Sequence, residues 1–293
     1  MKRRIIKVLL YLIGTFCIVY PLCAKFITFR NQTKSIYDYK KELAQMEQAE
    51  LENKIKKADE FNKDNSTESM IVDPNDVGNP NEAISTYSFL ELGEMLGYVE
   101  IPKINVNMPI YEGVTIENLS KGVAHMEETS IPNGENNTHS VLAGHTGITN
   151  AIIFDDLDVL EINDEFYITF VNQKSKYKIV DKRIVLPTET SSLKIEDGRC
   201  LVTLVTCTPK SVNTHRLLIT GEKVLDEKVI AGQEVQPEEL PVKIEEHKEK
   251  SEIEIIISFI KRNIKYIIII IVFIILVIII EIIGKLKNKK GEK

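Results

Sequence analysis

Hydrophobic residues form two long runs near the ends of the chain, with a mixed pattern between them. The first run extends from about Leu9 to Phe29 and is interrupted by a single charge at Lys25. The second extends from Tyr266 to Gly284, and its first fifteen residues are apolar. A helix that is apolar on every side has no face for water, and both runs are long enough to cross a bilayer. The pattern predicts two transmembrane helices.

Charges beside these runs predict their orientation. The first run follows the basic start "MKRR" and precedes no clear small-residue cleavage site, which favours an uncleaved anchor over a removed signal sequence. This start and the lysines after Gly284 favour the cytoplasm. Both termini are then cytoplasmic, and the chain from Asn31 to about Lys261 lies outside the cell membrane. Lys261, Arg262 and Lys265 on the outer flank argue weakly against this orientation.

After the first span the pattern is helical and then irregular. Residues Tyr37 to Asp64 are rich in Ala, Glu, Lys, Gln and Leu and lack Gly and Pro, which predicts a helix. Its apolar positions are few, so we expect most of its surface to be exposed. Residues Asn65 to Thr86 contain prolines, a glycine and several Asn and Asp residues. A loop of this length is typical either of a disordered linker or of a functional lid.

From Gly97 the chain changes to short runs of Val, Ile, Thr and Tyr separated by turn residues. The segment "FYITFVNQKSKYKIVDKRIVL" predicts a hairpin that turns near residues 172–175, and "TIENLSKG" and "TNAIIFDDLDVL" predict helical turns. The pattern indicates a mainly β, mostly antiparallel unit that closes into a barrel. The polar, acidic stretch after it is typical of a linker.

These patterns divide the chain into six predicted segments. They are an N-terminal transmembrane anchor (1–30), a helical and loop segment (31–86), the β-barrel (87–230), a polar juxtamembrane linker (231–261), a C-terminal transmembrane helix (262–285) and a basic cytoplasmic tail (286–293).

Charge and cysteine content restrict the function. The net charge of −6 and the lack of a basic stripe with aromatic residues argue against a nucleic-acid partner. Of the four cysteines, Cys200 and Cys207 lie outside the spans. A disulfide is the usual state of cysteines in an exported domain. Seven residues along one strand separate two side chains by roughly 20 Å, however, so we expect free thiols.

Cys207 is the better candidate for a nucleophile. A cysteine reacts as thiolate, which requires a nearby base, and acyl transfer also requires a donor for the oxyanion. Cys207 ends the apolar run "LVTLVT" before Thr208-Pro209, so it should lie at a partly exposed strand end. Cys200 precedes that run and is interpreted as a small buried hydrophobic residue.

His145 is the histidine whose setting best suits the base. It lies in "AGHTG", after an apolar run, which predicts an exposed loop at a strand end. His215 precedes Arg216, and neighbouring strand residues point to opposite faces, so only one of these two can face the site. For the remaining three, structural or surface roles are expected: His125, His139 and His247.

The cysteine segment resembles a known signature. "TLVTCTPKSVNTHRLLITG" is similar to the active-site segment of sortases, TLxTC followed about nine residues later by Arg, and "HSVLAGHTG" resembles their catalytic-histidine segment. The form "VNTHRLL" and the segments "GYVEIPKINVNMPIYEG" and "LPTETSSL" resemble the pilin-polymerising class C sortases. The resemblance covers about Leu90 to Gly221 in matching order, and the second span also fits class C.

This resemblance implies an eight-stranded β-barrel cysteine transpeptidase with short helices. Cys207 would be the nucleophile, His145 the general acid and base, and Arg216 the group that binds substrate or stabilises the oxyanion. The implied substrate is a pilin or surface protein with an LPXTG-like motif, cut between Thr and Gly and passed to a pilin lysine. Thr206 is assigned to the substrate site. We expect no cofactor and no metal.

Class C sortases often cover the cysteine with a lid that carries an Asp-Pro-aromatic motif. Here the corresponding residues are Asp73, Pro74 and Asn75, so the Asp-Pro pair is present and the aromatic residue is missing. The resemblance therefore favours a lid over a linker for Asn65 to Thr86. We expect its closure to be looser than with an aromatic anchor.

Two other functions are compatible with the sequence. A housekeeping sortase would use the same chemistry but transfer proteins to cell-wall peptide. A non-enzymatic, membrane-tethered binding module would require Cys207 to be inert. The carboxylates of Asp155, Asp156 and Asp158 are interpreted as a solvated face rather than a metal site.

Overall fold

The computed structural model describes residues 2–64, 87–93, 95–147, 153–224 and 253–261, together with isolated positions between 263 and 283. Asp73, Pro74 and most of the second predicted span lie outside the described residues. The chain divides into two compact units, Ile27–Lys248 on the one hand and Met1–Phe26 with Glu249–Lys293 on the other.

The larger unit contains a closed barrel of eight strands, in the order β1-β2-β3-β4-β7-β8-β6-β5. The strands are β1 Met95–Ile101, β2 Val106–Glu112, β3 Val123–His125, β4 Thr138–Ala143, β5 Glu165–Phe170, β6 Gln173–Val185, β7 Cys200–Thr208 and β8 His215–Lys223. The pairs β2/β3 and β4/β7 are parallel, and the other six are antiparallel. The predicted eight-stranded, mostly antiparallel barrel is confirmed.

The hairpin β5–β6 is also confirmed, with its turn slightly earlier than predicted. Phe170 pairs with Gln173, so the turn consists of Val171 and Asn172. Val171 has φ 52°, a conformation that a β-branched residue rarely adopts. Its amide donates a 3.0 Å hydrogen bond to the Tyr39 hydroxyl, and its side chain is buried. The buried side chain belongs to the hydrophobic core, which favours an apolar residue at this turn.

The described part of the chain includes the α-helices α1 Lys2–Leu43, α2 Gln48–Asp64 and α3 Ile116–Lys121. The sequence predicted one helix from Tyr37 to Asp64, and the structure breaks it at residues 44–47. The predicted helical turn at α3 is confirmed, with Thr115 as N-cap accepting from the Asn118 amide at 3.0 Å. A 3₁₀ turn, Leu157–Val159, lies in the second segment predicted to be helical.

Helix α2 is less exposed than the sequence predicted. Its buried residues recur every three or four positions, namely Leu51, Lys54, Ala58 and Asn62. Two of the four are polar, so a count of apolar residues does not reveal this face. The Lys54 ammonium donates to the carbonyl oxygens of Leu90 and Glu91 at 3.0 and 3.1 Å. Helix α2 therefore packs against the rest of the larger unit through hydrogen bonds as well as through apolar residues such as Leu51 and Ala58.

The N-terminal helix is long and apolar enough to cross a membrane. Among the described residues one such segment is found, Ile13–Leu43, and its most apolar stretch has no buried positions. This agrees with the predicted N-terminal anchor. Residues 253–261 of the smaller unit are also helical, and the Phe26 and Phe259 rings make an edge contact with centroids 5.1 Å apart.

Candidate active site

The parallel pairing of β4 with β7 brings distant sequence segments together. Ala143 pairs with Val205, and the same offset of 62 residues holds along the whole pair from Thr138 with Cys200. Continued by two residues, that offset places His145 beside Cys207. Paired residues point to the same side of a sheet. The candidate base and the candidate nucleophile are far apart in sequence, but the register of β4 and β7 brings them close together in space.

The antiparallel pairing of β7 with β8 adds Arg216. Cys207 pairs directly with Arg216, and Thr208 pairs with His215. Directly opposed residues share a face, so Arg216 accompanies Cys207 and His215 points to the other face. The Nδ1 atom of His215 makes a 2.9 Å hydrogen bond with the hydroxyl of Thr214. The interpretation that His215 lies outside the site agrees with this geometry.

All three candidate residues line one shallow pocket. Its lining consists of Leu119, Ala143, Gly144, His145, Val205, Thr206, Cys207 and Arg216. The pocket is partly open to solvent, and its volume of about 10 Å³ is room for about one water molecule. Only a small group therefore fits inside this pocket, and Cys207 in its lining is half-buried.

Arg216 is held in place by backbone carbonyl groups. Its side chain is 7% exposed, and Nη1 donates 3.0 Å hydrogen bonds to the carbonyl oxygens of Asn213 and His215. Both acceptors belong to the segment that enters β8. A charged donor fixed in this way beside a nucleophile suits an oxyanion that develops during acyl transfer.

His145 lies just beyond the end of β4 and is half-buried. Burial lowers the pKa of its imidazole below the ordinary value of 6.5. The ring is therefore predominantly neutral at pH 7, which is the form that accepts a proton. This is the charge state that a general base for a cysteine requires.

Thr206 connects the two strands at this point. Its hydroxyl donates to the Gly144 carbonyl at 2.7 Å, and its side chain is 5% exposed. Gly144 is closely packed, because a Cβ there would lie 2.4 Å from Cδ2 of Phe154. Thr206 lines the pocket, and it also fixes the backbone just before His145.

The remaining thiol and two further histidines have structural surroundings. Cys200 is buried, and burial raises the pKa of its thiol. His125 Nε2 is 2.8 Å from the Ser130 carbonyl oxygen. His139 makes hydrogen bonds with the Lys194 carbonyl at 2.8 Å and the Thr203 hydroxyl at 2.7 Å. These findings agree with the structural roles expected from the sequence.

Two residues beside the site were missed by sequence reasoning. Leu119 of α3 lines the pocket, and its helix gave no sequence signal beyond a helical turn. Asp155 was interpreted as part of a solvated face, but its carboxylate accepts a hydrogen bond from the Gly147 amide at 2.6 Å. Asp155 is only partly buried, so this backbone contact lies at the edge of the solvated face that the sequence predicted. Within the described residues no cluster of three or more potential metal ligands is found.

Comparisons with known proteins point to one family. A family model described as a sortase domain matches residues 99–224. Sortase D of Bacillus subtilis is 32% identical over 137 residues, which are 46% of this chain and 66% of that protein. The chain thus spans slightly less than two thirds of that relative's length.

Solved structures agree with the sequence relatives. Sortase C-1 of Actinomyces oris is 38% identical with a TM-score of 0.57, and the match covers 60% of this chain and 98% of that one. Sortase C of Streptococcus pneumoniae is 34% identical with a TM-score of 0.62, covering 66% and 97% respectively. The chain therefore belongs to the sortase family of cysteine transpeptidases, and the solved structures that it resembles here are class C sortases.

Proposed function

We propose that Cys207, His145 and Arg216 perform transpeptidation on an LPXTG-like sorting signal. The observation that carries this proposal is their convergence from β4, β7 and β8 on one pocket. The Cys207 sulfur attacks the threonine carbonyl carbon while His145 accepts the thiol proton. Arg216 stabilises the oxyanion of the tetrahedral intermediate. His145 then protonates the departing glycine amine, and a thioester remains on Cys207.

An amine completes the reaction. It attacks the thioester carbonyl, His145 accepts the amine proton, and Cys207 leaves with that proton as a thiol. We propose that the amine is a pilin lysine, so that the product is an isopeptide-linked pilus polymer. The proposal is supported by likeness to class C sortases, among them a Streptococcus pneumoniae sortase C described with pilin substrate specificity.

A second acceptor is cell-wall peptide, as in a housekeeping sortase. The chain is also similar to relatives named sortase A, such as the one from Bacillus anthracis, 25% identical over 157 residues. Both acceptors use the same thioester. Competition between a pilin domain and a cell-wall stem peptide, added together to the purified protein and a sorting peptide, distinguishes them. A product dominated by the stem peptide would contradict the pilin assignment.

The proposed location is the outer face of the cell membrane. The N-terminal helix supplies one candidate anchor. The second anchor, the cytoplasmic placement of both termini and the six-segment division of the chain remain proposals from the sequence. In this arrangement the barrel meets sorting signals as they leave the membrane.

Substitution of the three residues tests the chemistry. Cys207→Ala should abolish peptide cleavage and the formation of high-mass pilin polymers, because no thioester can form. His145→Ala and Arg216→Ala should each lower kcat/KM by about 10²–10⁴-fold, as loss of a base or an oxyanion donor does. The measurement is cleavage of a fluorogenic sorting peptide, with His215→Ala as the matched control. Undiminished cleavage by Cys207→Ala would disprove the proposal.

The proposed lid residues Asp73 and Pro74 need a separate test. The hypothesis is that Asp73 interacts electrostatically with Arg216 and thereby keeps the lid over the Cys207 thiol. Asp73→Ala should then raise the rate at which iodoacetamide alkylates Cys207. Asp76→Ala, in the same stretch of sequence, is the control. Equal alkylation rates in the two variants and the unmodified protein would count against a covering role.

A further inference from the structure

The backbone up to and including His145 is fixed by three hydrogen bonds. The Gly144 amide donates to the Val205 carbonyl at 3.0 Å, and the Thr206 hydroxyl donates to the Gly144 carbonyl at 2.7 Å. The amide of Phe154 donates to the His145 carbonyl at 3.0 Å. These contacts hold the histidine on its N-terminal side and at its own carbonyl group.

A single carboxylate oxygen holds the two residues that follow the histidine. Oδ1 of Asp155 accepts from the Gly147 amide at 2.6 Å and from the Thr146 hydroxyl at 3.3 Å. An amide-to-carboxylate hydrogen bond is charge-assisted and roughly twice as strong as one between neutral groups. Gly147 adopts φ +75°, so the chain turns at the point where Asp155 binds it. Asp155 therefore closes the loop on its C-terminal side.

The contacts of Asp155 differ from those of a neighbouring surface carboxylate. Asp158 is exposed, and its side chain forms a 3.6 Å ion pair with Lys210 in which both partners are about half exposed. An exposed pair of this kind contributes about 0–1 kcal/mol. Asp155 is partly buried and binds the backbone of the histidine loop. The two carboxylates are close in sequence, but Asp155 binds the loop that follows His145, whereas Asp158 binds a surface lysine.

We propose that Asp155 is a positioning residue for His145. By fixing Thr146 and Gly147 it sets the backbone from which the imidazole reaches Cys207. This inference rests on the proposed function, because it assigns Asp155 to the same acid–base step. Asp155 does not line the pocket, and burial is the cause that lowers the pKa of His145. The Asp155 carboxylate thus affects the position of the His145 imidazole rather than its protonation.

The proposal predicts a change in turnover without a change in substrate binding. A displacement of about 1 Å in a reacting group can lower the rate about 10²-fold. Asp155→Ala should therefore lower kcat for sorting-peptide cleavage about 10- to 100-fold while KM stays within about twofold. Asp155→Asn keeps an oxygen acceptor at the same place and should restore most of the activity. Thr146→Val removes only the 3.3 Å contact and should have a small effect.

The experiment measures kcat and KM of full-length protein in detergent for these three variants, with Asp158→Asn as the matched control. Thermal unfolding of each variant is recorded in parallel. The expected order of kcat is Asp155→Ala far below Thr146→Val, with Asp155→Asn and Asp158→Asn close to the unmodified protein. If Asp155→Ala unfolds, Asp155→Asn decides, since it removes the charge and keeps the acceptor.

Two outcomes would overturn the inference while the proposed function stands. One is activity of Asp155→Ala equal to that of Asp158→Asn, when Cys207→Ala and His145→Ala are inactive. The other is a folded Asp155→Asn variant as inactive as Asp155→Ala, which would show that charge, not the acceptor, is required. Cleavage that survives Cys207→Ala would instead refute the proposed function.

Discussion

Single buried side chains contribute to both chemistry and stability in this barrel. His125 is fully buried, and its Nδ1 atom has no hydrogen-bond partner, so the Ser130 carbonyl at Nε2 compensates a positive charge on the ring only in part. Burial lowers the pKa of His125 from 6.5 to about 4. Sequence reasoning left His125 ambiguous because one histidine among apolar residues carries no signal of depth. His125 is the last residue of β3 and is fully buried, whereas His145 follows the end of β4 and is half-buried, and only the folded barrel shows this difference.

The lowered pKa of the His125 imidazole predicts that the folded protein loses stability in mild acid. Between pH 6.5 and 4 the unfolded chain binds a proton at this position and the folded chain does not, so the stabilisation is complete above about pH 6.5 and decreases as the pH falls toward 4. The loss is roughly 3 kcal/mol for a shift of this size. Urea unfolding at pH 4.5 and 7 should show a smaller pH dependence in His125→Gln. An equal dependence in both proteins would contradict the prediction.

At the scale of elements, α2 shows how a polar helix is fixed to a barrel. The Asn62 side chain donates to the Ile131 carbonyl at 3.0 Å and accepts from the Ile131 amide at 2.8 Å, as a neighbouring strand would. Nearby, the Phe61 ring lies 5.1 Å from the ring of Tyr87. The helix itself was predictable from composition. The contacts of the helix with the barrel were not predictable, because they are made by Lys54 and Asn62, and lysine and asparagine are usually exposed.

Removing the Asn62 contacts should loosen this helix. Asn62→Ala removes the partner of the buried Ile131 amide, whereas the Ile131 carbonyl keeps its 2.8 Å hydrogen bond from the Asn133 amide, at a cost of about 1–3 kcal/mol. Asn53→Ala, on the exposed face of the same helix, should leave stability within about 0.5 kcal/mol. The midpoints of urea unfolding measure both. Equal midpoints for the two variants would show that α2 is held by its apolar contacts alone.

At the scale of the whole molecule, the strands were predictable and their partners were not. Alternation and turn residues indicated the strands around Cys207 and His145, but the choice of a parallel β4/β7 pair depends on how the barrel closes. The candidate pair therefore needed the family resemblance before the structure supplied the register. The anchor was evident from length and hydropathy alone.

The proposed membrane arrangement predicts where thiols react. In intact cells a membrane-impermeant maleimide should label Cys207, and Cys207→Ala should remove most of that label, because Cys200 is buried. A cysteine placed in the basic tail by Lys290→Cys, in the Cys207→Ala background, should react only after permeabilisation. Labelling of the tail in intact cells would place the C-terminus outside and contradict the arrangement.

The constant 62-residue offset between β4 and β7 has an evolutionary consequence. The pair His145 and Cys207 is aligned by two adjacent strands, and the stretch between them contains surface loops as well as β5 and β6 of the barrel. Insertions or deletions in its surface loops change the spacing of the two motifs without moving the reacting atoms. Substrate preference can then diversify through those loops, whereas a one-residue deletion inside β4 would separate the pair at once.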